Sequence, residues 1–279
     1  MQCVMKFGAL SVFVLVASIP ALACEMSLST FDLKDERGRV LGEAKVREYK
    51  PEGRSRPGSV LVLPTTGGET PLDRLWGREM CRAGFRTQII VSWPETEYDF
   101  YDPRMHNDFF NRVRLAAKAV LSKSRGPVAL IGTSLGGIVG SSLVALEPRI
   151  KVAALIATGA HVSEILSESN HPRARRQTRG SMKRNGIKSV AEYEDFLDRH
   201  VSIDPADLLR RAKDLPETLH VLTTNDVTVP TRNQLDLINL FPRPSVIKIH
   251  ANHILGILSA AKNHRHEIRD FLSERMPTR

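Results

Sequence analysis

The stretch VALIGTSLGG, Val128 to Gly137, sets one serine between glycines directly after four apolar residues. Val128 to Ile131 is the short continuous apolar run expected of a strand buried on both faces. Leu135 to Glu147, LGGIVGSSLVALE, is compatible with a helix that Pro148 stops. A strand that feeds a helix through a single serine needs a sharp, strained turn. Crowding around it demands residues without a Cβ, which is what Gly132, Gly136 and Gly137 supply. The helix start also favours developing negative charge. Ser134 is therefore a candidate nucleophile. The competing reading, a glycine-rich phosphate turn, lacks both G-x-G-x-x-G and a following G-K-[ST].

The surrounding sequence repeats the alternation. SVLVLP (59–64) and FRTQIIVSW (85–93) read as buried strands, separated by helical spacing through Leu72, Leu75, Trp76 and Met80. Asn107 is the expected N-cap of a helix carrying Phe110, Val113, Ala117, Val120 and Leu121 on one face. MSLSTFDL and RVLGEAKVREY form an expected hairpin; KVAALIAT, LHVLTT and SVIKIH are further strands. Ile257, Leu258, Ala261, Ile268, Phe271 and Leu272 place a single amphipathic helix at the end. Between His161 and Asp214 a polar stretch interrupts the pattern, and AEYEDFLDRH and PADLLRRAKD are its clearer helices. The expected class is α/β, a mostly parallel central sheet with helices on both faces and a short helical cap insertion at about 161–214.

A serine hydroxyl needs a base, and the base needs a carboxylate to hold its tautomer. Asp226 stands two residues past the strand LHVLTT and His253 three residues past SVIKIH, at strand ends where open α/β sheets gather functional groups. His250 competes for the base, and Asp226 as a turn-stabilising residue is the bland reading of the acid. His106 and His161 are further candidates for a pocket wall. Ser, Asp, His is the chain order of one known hydrolase arrangement.

On GTSLGG, LTTNDVTVP and NHILG the chain resembles the α/β-hydrolase superfamily of serine hydrolases, over roughly Met26 to Pro277. The resemblance implies a nucleophile elbow at Ser134, an acid at Asp226, a histidine loop at His253, and an oxyanion hole. One donor of that hole is the N–H of Leu135; the other is carried to Thr66, because LPTTGG has Pro64 and Thr65 where the family often has His-Gly. Asn252 stands where the family usually has Gly. The implied reaction is acyl transfer to water with no metal or organic cofactor. A small-molecule carboxylic ester is the first expected substrate; a peptidase of the same superfamily and a non-catalytic binding protein on the scaffold are the alternatives.

Residues 1–23 read as a signal peptide: Lys6, then a nearly uncharged run ending Ala21-Leu22-Ala23. The remainder, 24–279, is expected to form one exported domain, periplasmic or secreted. Cys24 and Cys81 either pair as a disulfide or leave Cys24 to carry a lipid, a route to membrane association. The 279 residues are 42% hydrophobic and 25% charged, with a formal charge of +9. That composition excludes wholesale disorder and a multi-span membrane protein. Much of the excess sits in HPRARRQTRGSMKRNGIK, His171 to Lys188, which has neither an acid nor an aromatic residue. Without stacking side chains it does not read as a nucleic-acid site; a solvated cap face, or attraction to an anionic surface or substrate, does fit.

Overall fold

The computed structural model describes residues 23–276 apart from Arg54 and Arg125; the expected signal peptide up to residue 22 lies outside the described residues. The chain opens with strands β1 (Cys24–Lys34), β2 (Val40–Pro51) and β3 (Ser59–Leu63), then helix α1 (Pro71–Arg82), β4 (Arg86–Ile90) and α2 (Arg104–Ser122). There follow β5 (Val128–Thr133), α3 (Leu135–Leu146) and β6 (Ile150–Ile156). Next come four helices in succession: α4 (Val162–Glu168), α5 (Pro172–Asn185), α6 (Val190–His200) and α7 (Pro205–Arg211). β7 (Glu217–Thr223), α8 (Thr231–Asn239), β8 (Ser245–Ile249), α9 (His253–Asn263) and α10 (Arg265–Arg275) complete it.

One eight-stranded sheet runs β1-β2-β4-β3-β5-β6-β7-β8. The β1–β2 and β2–β4 pairs are antiparallel, and β4, β3, β5, β6, β7 and β8 are parallel. This is the expected α/β class, with helices on both faces. The central strands show why their sequences are apolar without alternation. Leu61, Leu63, Val128 and Leu130 pack into the core under α2, α3 and α8, whereas Val60, Val62, Ala129 and Ile131 pack into the core under α1, α9 and α10. Successive side chains leave opposite faces, and both faces are covered.

Several local expectations need correction. Helix α2 begins at Arg104, with Pro103 in the capping position and no side-chain cap. Asn107 is instead a bracket to the α6 end: its Nδ2 donates to the carbonyl of His200 at 2.6 Å and its Oδ1 accepts from the Ser202 N–H. The final amphipathic run is two helices, broken at His264, whose backbone is not helical. The region between β6 and β7 holds two helices more than its clearest sequence signals, and the basic segment is itself helix α5. Tyr193, Leu197 and Val201 form a small core of their own there, with Val162, Leu166 and Met182 against it.

Cys24 and Cys81 are joined by a disulfide, which ties the start of the edge strand β1 to α1. The same Sγ cannot also carry a lipid. Among the described residues no helix is long and apolar enough to cross a membrane.

The tightest packing lies at the end of β5. A Cβ on Gly136 would stand 2.2 Å from the carbonyl oxygen of Leu63 and 2.3 Å from that of Pro64; one on Gly137 would meet Thr158 Cβ at 2.5 Å. Backbone carbonyls cannot step aside as a flexible side chain can. Gly136→Ala is therefore expected to destabilise the protein by about 3 kcal/mol, while Gly67→Ala, which meets nothing within 4 Å, leaves the melting temperature unchanged. Thermal unfolding of the two variants beside the wild type checks the contrast.

Candidate active site

Ser134 occupies the single residue between β5 and α3, with φ 54° and ψ −119°. Left-handed backbone costs a residue with a Cβ roughly 1–2 kcal/mol, so something must hold it. Its N–H donates to the Ile156 carbonyl at 2.9 Å, and its own carbonyl accepts from the N–H groups of Gly137 and Ile138. The conformation turns the side chain away from the strand and toward the loops at the carboxyl end of the sheet.

His253 is the first residue of α9 and is brought to that serine by its cap. Asn252 Oδ1 accepts the Leu255 N–H at 3.0 Å, so Asn252 starts the helix and does not merely stand in for a small turn residue. Ser134 Oγ lies 2.8 Å from His253 Nε2, and His253 Nδ1 lies 2.6 Å from Asp226 Oδ2. With the carboxylate holding Nδ1–H, Nε2 is left to accept the serine proton. All three residues are buried.

Asp226 is the most heavily bonded of the three. Its Oδ2 also accepts from Thr223 Oγ1 at 2.8 Å and Gln234 Nε2 at 2.9 Å, and its Oδ1 accepts the N–H groups of Thr228 and Val229 at 2.8 and 3.0 Å. Burial works to raise its pKa. The His253 hydrogen bond and charge, with help from Thr223 and the Thr228 amide, outweigh it and leave the carboxyl below its ordinary value.

The structure thus brings together the three residues that the sequence singled out. It sets His250 aside: that ring is exposed and bonded to Thr224 Oγ1 and Asn225 Nδ2. His161 makes a left-handed cap for α4, 3.9 Å from Asp236. Gln234 and Thr223 escaped sequence reading because Gln234 reaches Asp226 from the next helix and nothing in its own neighbourhood marks it. His171 was hidden in the basic segment. It caps α5, and its pKa is lowered by burial and by the charges of His253 and Arg173.

Thr66 and Leu135 line the same cavity as Ser134. Leu135 is the first residue of α3, where N–H groups have no partner within the helix. The loop that bears Thr66 is anchored on either side of that residue. Trp93 Nε1 donates to the Thr65 carbonyl at 2.8 Å, the Gly68 N–H closes back on the same carbonyl, and the neighbouring Glu69 takes a two-pronged bond from Arg47 at 2.6 and 3.0 Å. In a trans peptide the Thr66 N–H points opposite to that held carbonyl.

The cavity has a volume of about 610 Å³. Trp93, Phe100, Phe109, Ile138, Ile165 and Leu166 give it apolar walls, and α5 roofs it through Arg173, Ala174 and Gln177. The roof is fastened to the loop after β4. Arg173 and Arg176 lie over the Phe100 ring at 5.3 and 5.9 Å, Arg184 pairs with Asp99, and the Tyr101 ring fills the space that a Cβ on Gly180 would need. Part of the basic segment therefore fastens the roof, and Arg175, Arg179 and Lys183 remain exposed on its outer side. Among the described residues no group of three or more His, Cys, Asp or Glu is placed to hold a metal ion.

No family model and no curated sequence matches the chain. Solved structures do. An esterase of Pyrococcus furiosus aligns over 90% of this chain and 94% of its own, at 11% identity and a TM-score of 0.59. An acetyl xylan esterase from Paenibacillus sp. R4 aligns over 83% and 84%, at 19% identity and a TM-score of 0.60. An acylaminoacyl peptidase of Pyrococcus horikoshii aligns over 90% of this chain but 42% of its own, at 14% identity and a TM-score of 0.63. The protein has the α/β-hydrolase fold.

A carboxyl and an imidazole of the site both make the fold less stable in acid, over different pH intervals. Asp226 has a folded pKa below its unfolded value of about 3.9, so its stabilisation is complete above that pH and is lost as the pH falls through the lower folded value. His106, on the cavity wall, is pushed by burial down to about 4. Its unfolded form, with a pKa of about 6.5, binds the proton first, so stability falls from that pH toward 4. The melting temperature of the wild type is expected to drop over this interval, and His106→Leu to flatten the drop.

Proposed function

We propose that the protein is an exported serine hydrolase acting on carboxylic esters. The observation that carries the reading is the continuous relay from Ser134 Oγ through His253 to Asp226, at 2.8 and 2.6 Å, opening onto an apolar cavity. Ser134 attacks the ester carbonyl while His253 Nε2 takes its proton. Asp226 holds the ring and stabilises the imidazolium that forms. His253 then gives the proton to the leaving alcohol, and water releases the acyl-enzyme by the same steps in reverse order.

The tetrahedral oxyanion is held by the N–H groups of Leu135 and Thr66. Each such donor is worth about 3 kcal/mol in known hydrolases, and here both sit on backbone that packing and hydrogen bonds already hold. No organic cofactor enters these steps. A cavity with apolar walls, partly covered by α5, suits a compact acyl ester better than an extended peptide. Export is supported by the leader-like residues 1–23 and by the Cys24–Cys81 disulfide, a bond that persists outside the reducing cytosol.

The test is turnover of short p-nitrophenyl esters against peptide anilides by the mature protein and by Ser134→Ala. Ester hydrolysis is expected to fall by at least about 10³-fold in the variant. Preference for the anilides would replace the ester reading with the peptidase one, and equal activity in both proteins would end the serine mechanism.

A further inference from the structure

The cavity beside Ser134 contains a polar pair that acyl transfer does not use. His106, on α2, and Gln177, on the roofing helix α5, both line it, and His106 Nε2 lies 3.0 Å from Gln177 Nε2. Met105, Phe109, Ile165 and Leu166 surround the space with apolar side chains. Protein encloses the imidazole so fully that burial keeps it neutral, yet part of its surface is accessible from within the cavity.

A neutral imidazole has one donor and one acceptor nitrogen, and a carboxamide has one end of each kind. The bond between the two residues uses one atom of each. The remaining atoms, His106 Nδ1 and the other end of the Gln177 amide, have no protein partner among the described residues. Both residues line the cavity. If the Gln177 NH2 donates to His106 Nε2, then Nδ1–H is a donor and Gln177 Oε1 an acceptor. If the amide and the tautomer are both reversed, the two roles exchange. Either way the two residues leave one donor and one acceptor unused by their own bond.

That combination discriminates between ligand groups. An alkyl chain leaves both atoms unpaired, at the cost that burying an unsatisfied polar group carries. A carboxylate meets the acceptor lone pairs, and an ammonium meets the donor. A hydroxyl gives and accepts at a single atom and satisfies both. We propose that His106 and Gln177 form a hydroxyl-recognition subsite, and that the substrates are esters bearing a hydroxyl on the part that enters this cavity. The inference rests on the ester-hydrolase reading for its substrate class, and on the cavity alone for its chemistry.

The experiment compares kcat/KM within two matched pairs: p-nitrophenyl 3-hydroxybutyrate against p-nitrophenyl butyrate, and glyceryl monobutyrate against propyl butyrate. The first pair places the hydroxyl on the acyl side and the second on the alcohol side. In at least one pair the wild type is expected to favour the hydroxylated ester by about tenfold, the scale of one well-made hydrogen bond. That ratio is expected to fall toward one in Gln177→Met and His106→Leu. A wild-type ratio near one in both pairs overturns the subsite, as does a preference that survives both substitutions. Binding read without turnover gives an independent measure: 1,3-butanediol should raise the wild-type melting temperature more than 1-butanol does, and equal shifts count against the subsite. Loss of all Ser134-dependent turnover with that binding difference intact would sink the hydrolase reading and leave the subsite standing.

Discussion

The contact on which the site depends is between α3 and the end of β3. The helix approaches so closely that only hydrogen fits between Gly136 and the carbonyls of Leu63 and Pro64. This approach forces the chain to turn within one residue, and Ser134 takes up the turn at φ 54°. The strain is local, but it is held by a large structure: two hydrophobic cores on either face of the central strands. A looser helix would relax the serine into ordinary backbone and take its hydroxyl away from His253.

The same approach links the serine to the proposed oxyanion donors. Bringing α3 against β3 places the first N–H groups of the helix beside the loop that follows β3, so Leu135 and Thr66 come to share one cavity with Ser134. Parallel pairing of β5, β6, β7 and β8 then delivers the acid and histidine loops to the same end of the sheet. The antiparallel hairpin at the other edge carries Arg47, whose bond to Glu69 steadies the Thr66 loop from behind. The geometry of the candidate site and the fold are therefore not separable here: each arm of the proposed site is the end of an element whose body lies in the core.

Most of this frame was legible in the sequence because burial on both faces leaves a strong mark. SVLVL and VALIGT are continuous apolar runs, and glycines at 132, 136 and 137 mark the crowded turn. The order Ser134, Asp226, His253 follows from strand ends, which apolar runs locate well. What stayed hidden has a common cause. Gln234 reaches Asp226, His106 reaches Gln177, and Asn107 reaches the end of α6 across gaps that no local period records. Helices α4 and α5 were poorly marked because a cap packs on a small core and keeps much polar surface, so its apolar face is narrow. The break at His264 was missed because α9 and α10 each continue the same apolar face.

The central claim is that this strained turn makes Ser134, and no other hydroxyl, the group that forms a covalent bond with a serine-directed electrophile. The direct measurement is intact mass followed by peptide mapping after treatment of the folded protein with a fluorophosphonate. A single adduct on the peptide containing Ser134 is expected, with labelling slowed severely in His253→Ala. No adduct on the folded wild type, or an adduct mapped to another residue, would contradict the account.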